Sequence, residues 1–358
     1  MLGRRLTDLA WMAARPLVAL RRWLLWPHSV RGWWAALAAE LVPADLYHAC
    51  GVLAVSPALA LRRRHQRRSA GRPARVIYDV IDDALSGDAV RGMPGLLRAW
   101  HGRREAGWAR AVDGLVTVNE ALGRRLEARW RPARPIVILP NIPERPDPAL
   151  VERPPDRIRE TLGLGKEIRI VLVHGRIGPH LAIEELEAAV LSMPQTALVL
   201  MGFGIGYEAA AARDHDERYR GRHFTLSARP PAELLTWTAS ADVVVVPLRP
   251  TSVNHQLATP NKFWEAVVVG TPVVVPAGLT LLADLVRTHD LGAVARSEQP
   301  ADLAAALRAI LDRPEIERRA WRRRIAAAAA GQFDPAGGAD RYRALVRSLW
   351  SPDDRGAG

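Results

Sequence analysis

Residues 251–276 read TSVNHQLATPNKFWEAVVVGTPVVVP, and the rest of the chain is read outward from them. Pro260 suits a helix start, because its fixed φ fits the first turn and its missing N–H is not needed there. Lys262 then falls inside that first turn, beside the positive end of the helix dipole, where helix energetics alone disfavour a cation. An anion held between the free first-turn amides and the ammonium would resolve that conflict. Glu265 lies one turn further along the same face and offers a carboxylate to two sugar hydroxyls. The chain has two lysines and four asparagines, and Lys262, Asn254 and Asn261 all fall in this stretch. An ordinary helix start with a solvated Lys–Glu pair is the plainer alternative.

After Gly270, Val273 to Val275 are apolar at every position, as in a strand buried on both faces. The same signature, or a weaker form of it, predicts strands over 45–48, 76–80, 114–118 and 136–139. Others follow over 169–174, 197–202, 223–226, 242–247, 272–276 and 292–295. Amphipathic stretches such as 184–191, 231–239 and 301–311 separate them, and this alternation predicts parallel sheets with helices on both faces. Pro143, Pro146, Pro148, Pro154 and Pro155 interrupt the pattern as a linker. The organisation expected is an amino-terminal domain over 1–142, a linker over 143–156, a second domain over 157–312, and carboxyl-terminal helices over 313–358 that return to the amino-terminal domain. The first domain has four strands where the second has six, and is expected to be shortened.

Ligands of such sheets sit beyond the carboxyl ends of the strands. There the chain places Gly175-Arg176 after one strand, a close backbone approach beside a guanidinium able to hold phosphate through two hydrogen bonds. Gly202-Phe203-Gly204-Ile205-Gly206 follows the next strand; this pattern alone reads as a tight strand-to-helix turn rather than a phosphate cradle.

The 358 residues are 49% hydrophobic, enough for real cores and too many for a disordered chain. A single cysteine, Cys50, excludes a disulfide framework and multi-cysteine metal sites. Fifty basic residues stand against 38 acidic ones, for a net charge of +12. No nucleic-acid-reading motif accompanies them, so no nucleic acid partner is expected. Five of the twelve tryptophans and six arginines fall within residues 1–34, and seven arginines with no acid within residues 62–75. Arginine with tryptophan suits a surface lying on a bilayer; tryptophans packed on the protein's own core are the alternative. The longest apolar window, 266–282, is broken by Gly270, Pro272, Pro276 and Gly278. It predicts no membrane span, and the chain is expected in the cytoplasm, peripheral on the inner face of the plasma membrane.

Residues 260–265, PNKFWE, followed by Gly270-Thr271-Pro272-Val273-Val274, resemble the donor-binding signature of the retaining glycosyltransferases of family 4. Ala44–His48, Val76–Asp83, Asp113–Glu120, Leu139-Pro140-Asn141 and His174-Gly175-Arg176 resemble further elements of that family, so the likeness runs from about residue 44 to 312. It implies the GT-B fold, two doubly wound domains facing across a cleft, and a retaining transfer of a hexose from a UDP- or GDP-sugar. The acceptor expected is a cell-envelope or lipid-linked glycan. On this likeness Arg176 and Lys262 neutralise the donor diphosphate and Glu265 binds the ribose. Gly175, Asn254, Thr259, Pro260 and Asn261 complete the donor site, and neither metal nor other cofactor is implied. Where the family carries a histidine near the sugar this chain reads Ile81, leaving His48, Asp82 and Asp83 as acceptor-side candidates. A GT-B protein without catalysis, serving as a membrane-docking or partner-binding module, is the alternative.

Overall fold

The structure, a computed structural model, describes residues 44–68, 74–333 and 335–350, together with Trp23. It divides into two compact units, one of residues up to 139 and from 339 onward, the other of residues 140–338.

In the first unit, β1 (Leu46–Cys50), β2 (Arg75–Val80), β3 (Gly114–Thr117) and β4 (Val137–Ile138) form a parallel sheet in the order β1-β2-β3-β4. The connections are α1 (Val52–Arg68), α2 (Gly95–Ala111) and α3 (Glu120–Trp130). The side chain of Asn119 accepts the Leu122 N–H at 2.8 Å and starts α3. Right-handed crossovers that all advance in one direction put their helices on one face of a sheet. Accordingly Val55 and Leu59, Ala106 and Ala109, and Leu126 and Trp130 pack with Val76, Tyr78 and Val80. The alternate residues, Ile77 and Val116, face the other way. They are covered by α11 (Pro335–Ser348) and the residues after it, through Tyr342, Leu345, Val346 and Leu349.

Beneath α2 and α3 lies a polar cluster. Asp83, with no exposed surface, accepts from Arg129 at 2.7 Å, from Arg125 at 2.8 Å and from Ser86 at 2.7 Å. Arg129 also reaches Glu105 at 3.3 Å, and Tyr78 donates to Glu105 at 3.0 Å. Burial pushes Glu105 up to about 7, against the pull of Arg129. A carboxyl whose folded pKa exceeds its unfolded value favours the fold at low pH, and that contribution is lost as pH rises through the folded pKa. Relative to Glu105→Gln, the wild-type chain is therefore expected to lose stability between pH 5 and pH 8, by up to roughly 3 kcal/mol. Urea unfolding of both proteins at the two pH values measures it; parallel slopes would refute the assignment.

In the second unit, β5 (Arg169–Arg176), β6 (Thr196–Phe203), β7 (His223–Ser227), β8 (Val243–Val245), β9 (Val273–Pro276) and β10 (Gly292–Ala295) pair in parallel. Their order is β10-β9-β8-β5-β6-β7. The strand sequence reverses direction between β5 and β8, the crevice where open α/β sheets receive ligands. The core is dense with Val171, Leu172, Val199, Leu200, Val244 and Val274, none more than 1% exposed. Around it lie α4 (Ile183–Leu191), α5 (Tyr207–Arg213), α6 (Pro231–Ala239), α7 (Asn261–Val268), α8 (Thr280–Thr288), α9 (Pro300–Leu311) and α10 (Glu315–Gln332). From α10, Arg322 donates to the carbonyls of Ala239 at 2.8 Å and Ala241 at 3.0 Å, satisfying groups at the end of α6. The two carboxyl-terminal helices thus serve different sheets, α10 the second and α11 the first. The proline-rich stretch belongs to the second unit, carries one helical turn over Ala149–Glu152, and packs Ile142 and Leu150 on that core.

Candidate active site

The candidate site is built on the carboxyl ends of β5 and β6 and on the start of α7. Strands β5 and β6 stay paired to their last residues, with Gly175 opposite Gly202 and Arg176 opposite Phe203. A Cβ on Gly202 would lie 1.8 Å from the Gly175 carbonyl oxygen, and one on Gly204 2.4 Å from that of Ile177. The Ile177 N–H donates to Phe203 O at 2.7 Å, and the Gly206 N–H to Ile177 O at 3.2 Å. The glycines of 202–206 therefore serve to seat one strand-end loop against another, as the reading of a tight turn implies.

Gly175 has φ +99°, a conformation that glycine adopts without penalty, and its open face is turned to Lys262. A Cβ there would sit 3.8 Å from Lys262 Cε and 3.9 Å from Nζ. The ammonium has no hydrogen bond and no ion pair within 4 Å among the described residues. Burial pushes Lys262 down to about 8, with Glu265 pulling the other way. Glu265, on the same face of α7, is pushed up by burial and drawn down by Lys262. Helix α7 has no side-chain cap: Pro260, at φ −65° and ψ 148°, delivers the chain into the helix, and the Phe263 N–H donates to the Pro260 carbonyl at 2.9 Å. Thr259 is buried just ahead of it and Asn261 is exposed.

His174 is a member of this cluster to which the sequence reading gave no role. Its Nδ1 lies 3.5 Å from Glu265 Oε2, and its Nε2 lies 3.5 Å from Thr238 Oγ1. Burial first and the Lys262 charge second push it down to about 3, so at neutral pH it is an uncharged support beneath the carboxylate. Its position immediately before Gly175-Arg176 was the one available signal. Arg176 is exposed at the tip of β5, with no hydrogen bond or ion pair among the described residues. Asn254 lies in the short helical turn Val253–Gln256, which Ser252 caps by accepting the His255 N–H at 3.2 Å.

Gly175, Lys262, Glu265 and His174 thus converge, with Arg176 and the 259–261 segment on adjoining chain ends. His48, Asp82 and Asp83 belong to the first unit. Asp82 is exposed. Asp83 must be corrected: its carboxylate is turned into the core and held by Arg125 and Arg129, which leaves it no face toward a ligand. Burial, the largest single influence, would raise its pKa, but Arg129, Arg125 and Ser86 together hold it below the usual carboxylate value.

Of the basic, tryptophan-rich segments, residues 1–22, 24–34 and 69–73 lie outside the described residues. Trp23 is buried against Val90 and Met93, and its carbonyl lies 2.7 Å from His101 Nε2. Arg62 and Arg75 both pair with Asp113, at 2.8 and 3.4 Å. No helix among the described residues is long and apolar enough to cross a membrane.

The family model for glycosyl transferases group 1 matches residues 169–313, the stretch that holds β5 to β10 and α7. Among solved structures, HepE of Anabaena, in complex with UDP and glucose, is similar at 16% identity and a TM-score of 0.63, over 88% of this chain and 81% of that one. Sucrose-phosphate synthase from Thermosynechococcus elongatus is similar at 19% identity and 0.62, over 90% and 77%. A mutant of S. aureus TarM, in complex with fondaparinux, α-GlcNAc-glycerol and UDP, is similar at 12% identity and 0.57, over 78% of this chain. The chain spans about half of TarM's length, 52%. No curated protein matches it in sequence.

Proposed function

We propose that this chain, whose residues 169–313 match the glycosyl transferases group 1 model and whose two parallel sheets match GT-B structures, moves a hexose from a UDP- or GDP-sugar to a glycan acceptor with retention of anomeric configuration. The observation that carries the reading is the cation of Lys262, half-buried and, among the described residues, without an anionic partner within 4 Å, set at the open start of α7 against Gly175. Such a cation at a helix N-terminus is built for an anion from outside the protein. A donor diphosphate meets it with its negative charge, and Arg176 adds a second cation from the tip of β5. As the bond between sugar and phosphate breaks, charge grows on the leaving phosphate, where these fixed groups stabilise it most. Glu265, oriented by neutral His174, accepts hydrogen bonds from the two ribose hydroxyls, and the N–H groups of Thr259 and Asn261, on either side of Pro260, which has none, meet the diphosphate, with Asn254 alongside. HepE and TarM, by their descriptions, hold UDP, which supports a nucleotide-sugar donor. In retaining transfer the leaving phosphate oxygen takes the proton of the incoming acceptor hydroxyl on the same face. The basic, tryptophan-rich residues 1–34 support an acceptor that is lipid-linked or part of the cell envelope, met at the inner face of the plasma membrane.

Calorimetric titration of the full chain with UDP and with GDP tests the donor site, and turnover of the matching sugars tests the reaction. Glu265→Ala is expected to weaken nucleotide binding about tenfold or more, since a carboxylate accepting hydroxyl hydrogen bonds contributes ~1.5–3 kcal/mol. Binding unchanged by that substitution would remove the ribose assignment, and an absence of any nucleotide binding would remove the reading as a whole.

A further inference from the structure

In the first unit, three side chains of different chemistry meet at the carboxyl end of the sheet. His48 and Cys50 stand two residues apart on β1 and share one face by strand periodicity. Cys50 is in register with Asp79 on β2, so the three project to the same side, the side that α11 covers. A nitrogen of His48, the Cys50 sulfur and a carboxylate oxygen of Asp79 all lie within 4.8 Å of one another. His48 Nε2 is 3.1 Å from Asp79 Oδ2, and from α11 the Tyr342 hydroxyl lies 2.7 Å from His48 Nδ1.

We propose that His48 Nε2, Cys50 Sγ and Asp79 Oδ2 form a binding site for a zinc-class divalent cation, with Tyr342 orienting the imidazole and a fourth position open. Nitrogen, thiolate and carboxylate together are a donor set for a borderline cation such as zinc, and three protein ligands with one open position is a common arrangement for it. Zinc bonds of about 2.0–2.3 Å in tetrahedral array set ligand atoms roughly 3.4–3.7 Å apart. The observed 3.1 Å between nitrogen and oxygen needs only a small opening, and the sulfur, within 4.8 Å of both, closes in by at most about 1.3 Å. Tyr342 supplies the partner that metal-bound histidines usually have on the second nitrogen. Without a cation, the imidazole proton sits on Nε2 and Asp79 accepts it. With the cation on Nε2, that proton resides on Nδ1 and the Tyr342 oxygen accepts it, while the Cys50 thiol gives its proton to solvent. One proton is therefore released per cation bound. The site is independent of the donor-site reading, and it ties α11 to β1 and β2 through first and second neighbours of the cation.

Cobalt(II) and zinc(II) titrations of the full-length, chelator-treated chain test it. Cys50 is the chain's single cysteine, so a thiolate-to-cobalt charge-transfer band reports this site and no other. The expected result is one cobalt per chain with that band, displacement by zinc, and release of one proton. His48→Ala and Asp79→Asn should each weaken affinity at least tenfold, and Tyr342→Phe by about tenfold, the usual effect of losing an outer partner. Circular dichroism of each variant checks that it is folded, and the wild-type titration stands whether or not a variant folds. Absence of the thiolate band at stoichiometric cobalt would overturn the proposal, as would a band whose affinity is indifferent to His48→Ala and Asp79→Asn in folded protein.

Discussion

Lys262→Ala is expected to lower turnover by roughly 10²–10³-fold, the loss seen when one preorganised group facing developing charge is removed. The reason lies in what the apo site already endures. Burial pushes the ammonium down to about 8, offset only in part by Glu265, and among the described residues no carboxylate comes within 4 Å of it. A diphosphate supplies the missing anion, so binding and protonation reinforce each other. The sign follows: nucleotide affinity is full while Lys262 is charged, and falls as pH rises through about 8. In Lys262→Ala that decline should vanish, leaving a flat profile between pH 7 and 9. Initial rates at saturating donor, with UDP titrations across that range, provide both measurements. A variant with unaltered turnover would place the charge-stabilising group elsewhere.

Gly202→Ala is expected to be among the most damaging single methyl groups in the donor-side unit. Its Cβ would stand 1.8 Å from the Gly175 oxygen and 2.9 Å from the Gly175 carbonyl carbon. Both are backbone atoms of a paired strand, so no side-chain rotation relieves the clash. The strands must part where the site is assembled, at a cost of at least the ~1–3 kcal/mol of ordinary overpacking. Nucleotide binding should be lost even at temperatures where the variant remains folded, because the displaced Gly175 backbone lies beside Lys262. Gly107→Ala is the contrasting control: it lies within α2, and its Cβ would meet nothing within 4 Å. There alanine should stabilise by up to ~1 kcal/mol through helix propensity alone. Urea unfolding of the two variants, with UDP titration of each, separates the steric explanation from a general intolerance of substitution.

All ten strands of the two sheets were legible in the sequence, β8 and β9 as runs apolar at every position and others, such as β1, β2 and β7, as weaker forms of that pattern. The start of α7 was legible for a different reason. A proline at a helix start followed by a cation is a local conflict, and local conflicts mark sites. What escaped depended on direction and register. Asp82 and Asp83 are neighbours in sequence, and nothing local told which would point outward; Arg125 and Arg129, some forty residues on, decide it. The same holds for His174, whose place under Glu265 needs β5 and α7 to be adjacent. The meeting of Cys50 with Asp79 needs the register of β1 on β2, which the alternation of apolar residues leaves open. Glycine spacing in 202–206 was visible, but its cause, the approach of a second backbone, became visible only with the paired strands in place.

The ascending strand order of the first sheet has a consequence in time. Its three crossover helices occupy one face, and the other face waits for Tyr342, Leu345, Val346 and Leu349. A ribosome delivers those residues some two hundred positions after the last strand of that sheet, and after the whole of the second unit. Chains usually complete their domains in the order in which they emerge. Among the described residues, the face bearing Ile77 and Val116 is therefore covered by chain that is made only after the second unit. The first unit thus begins before the second and receives its last described layer after it.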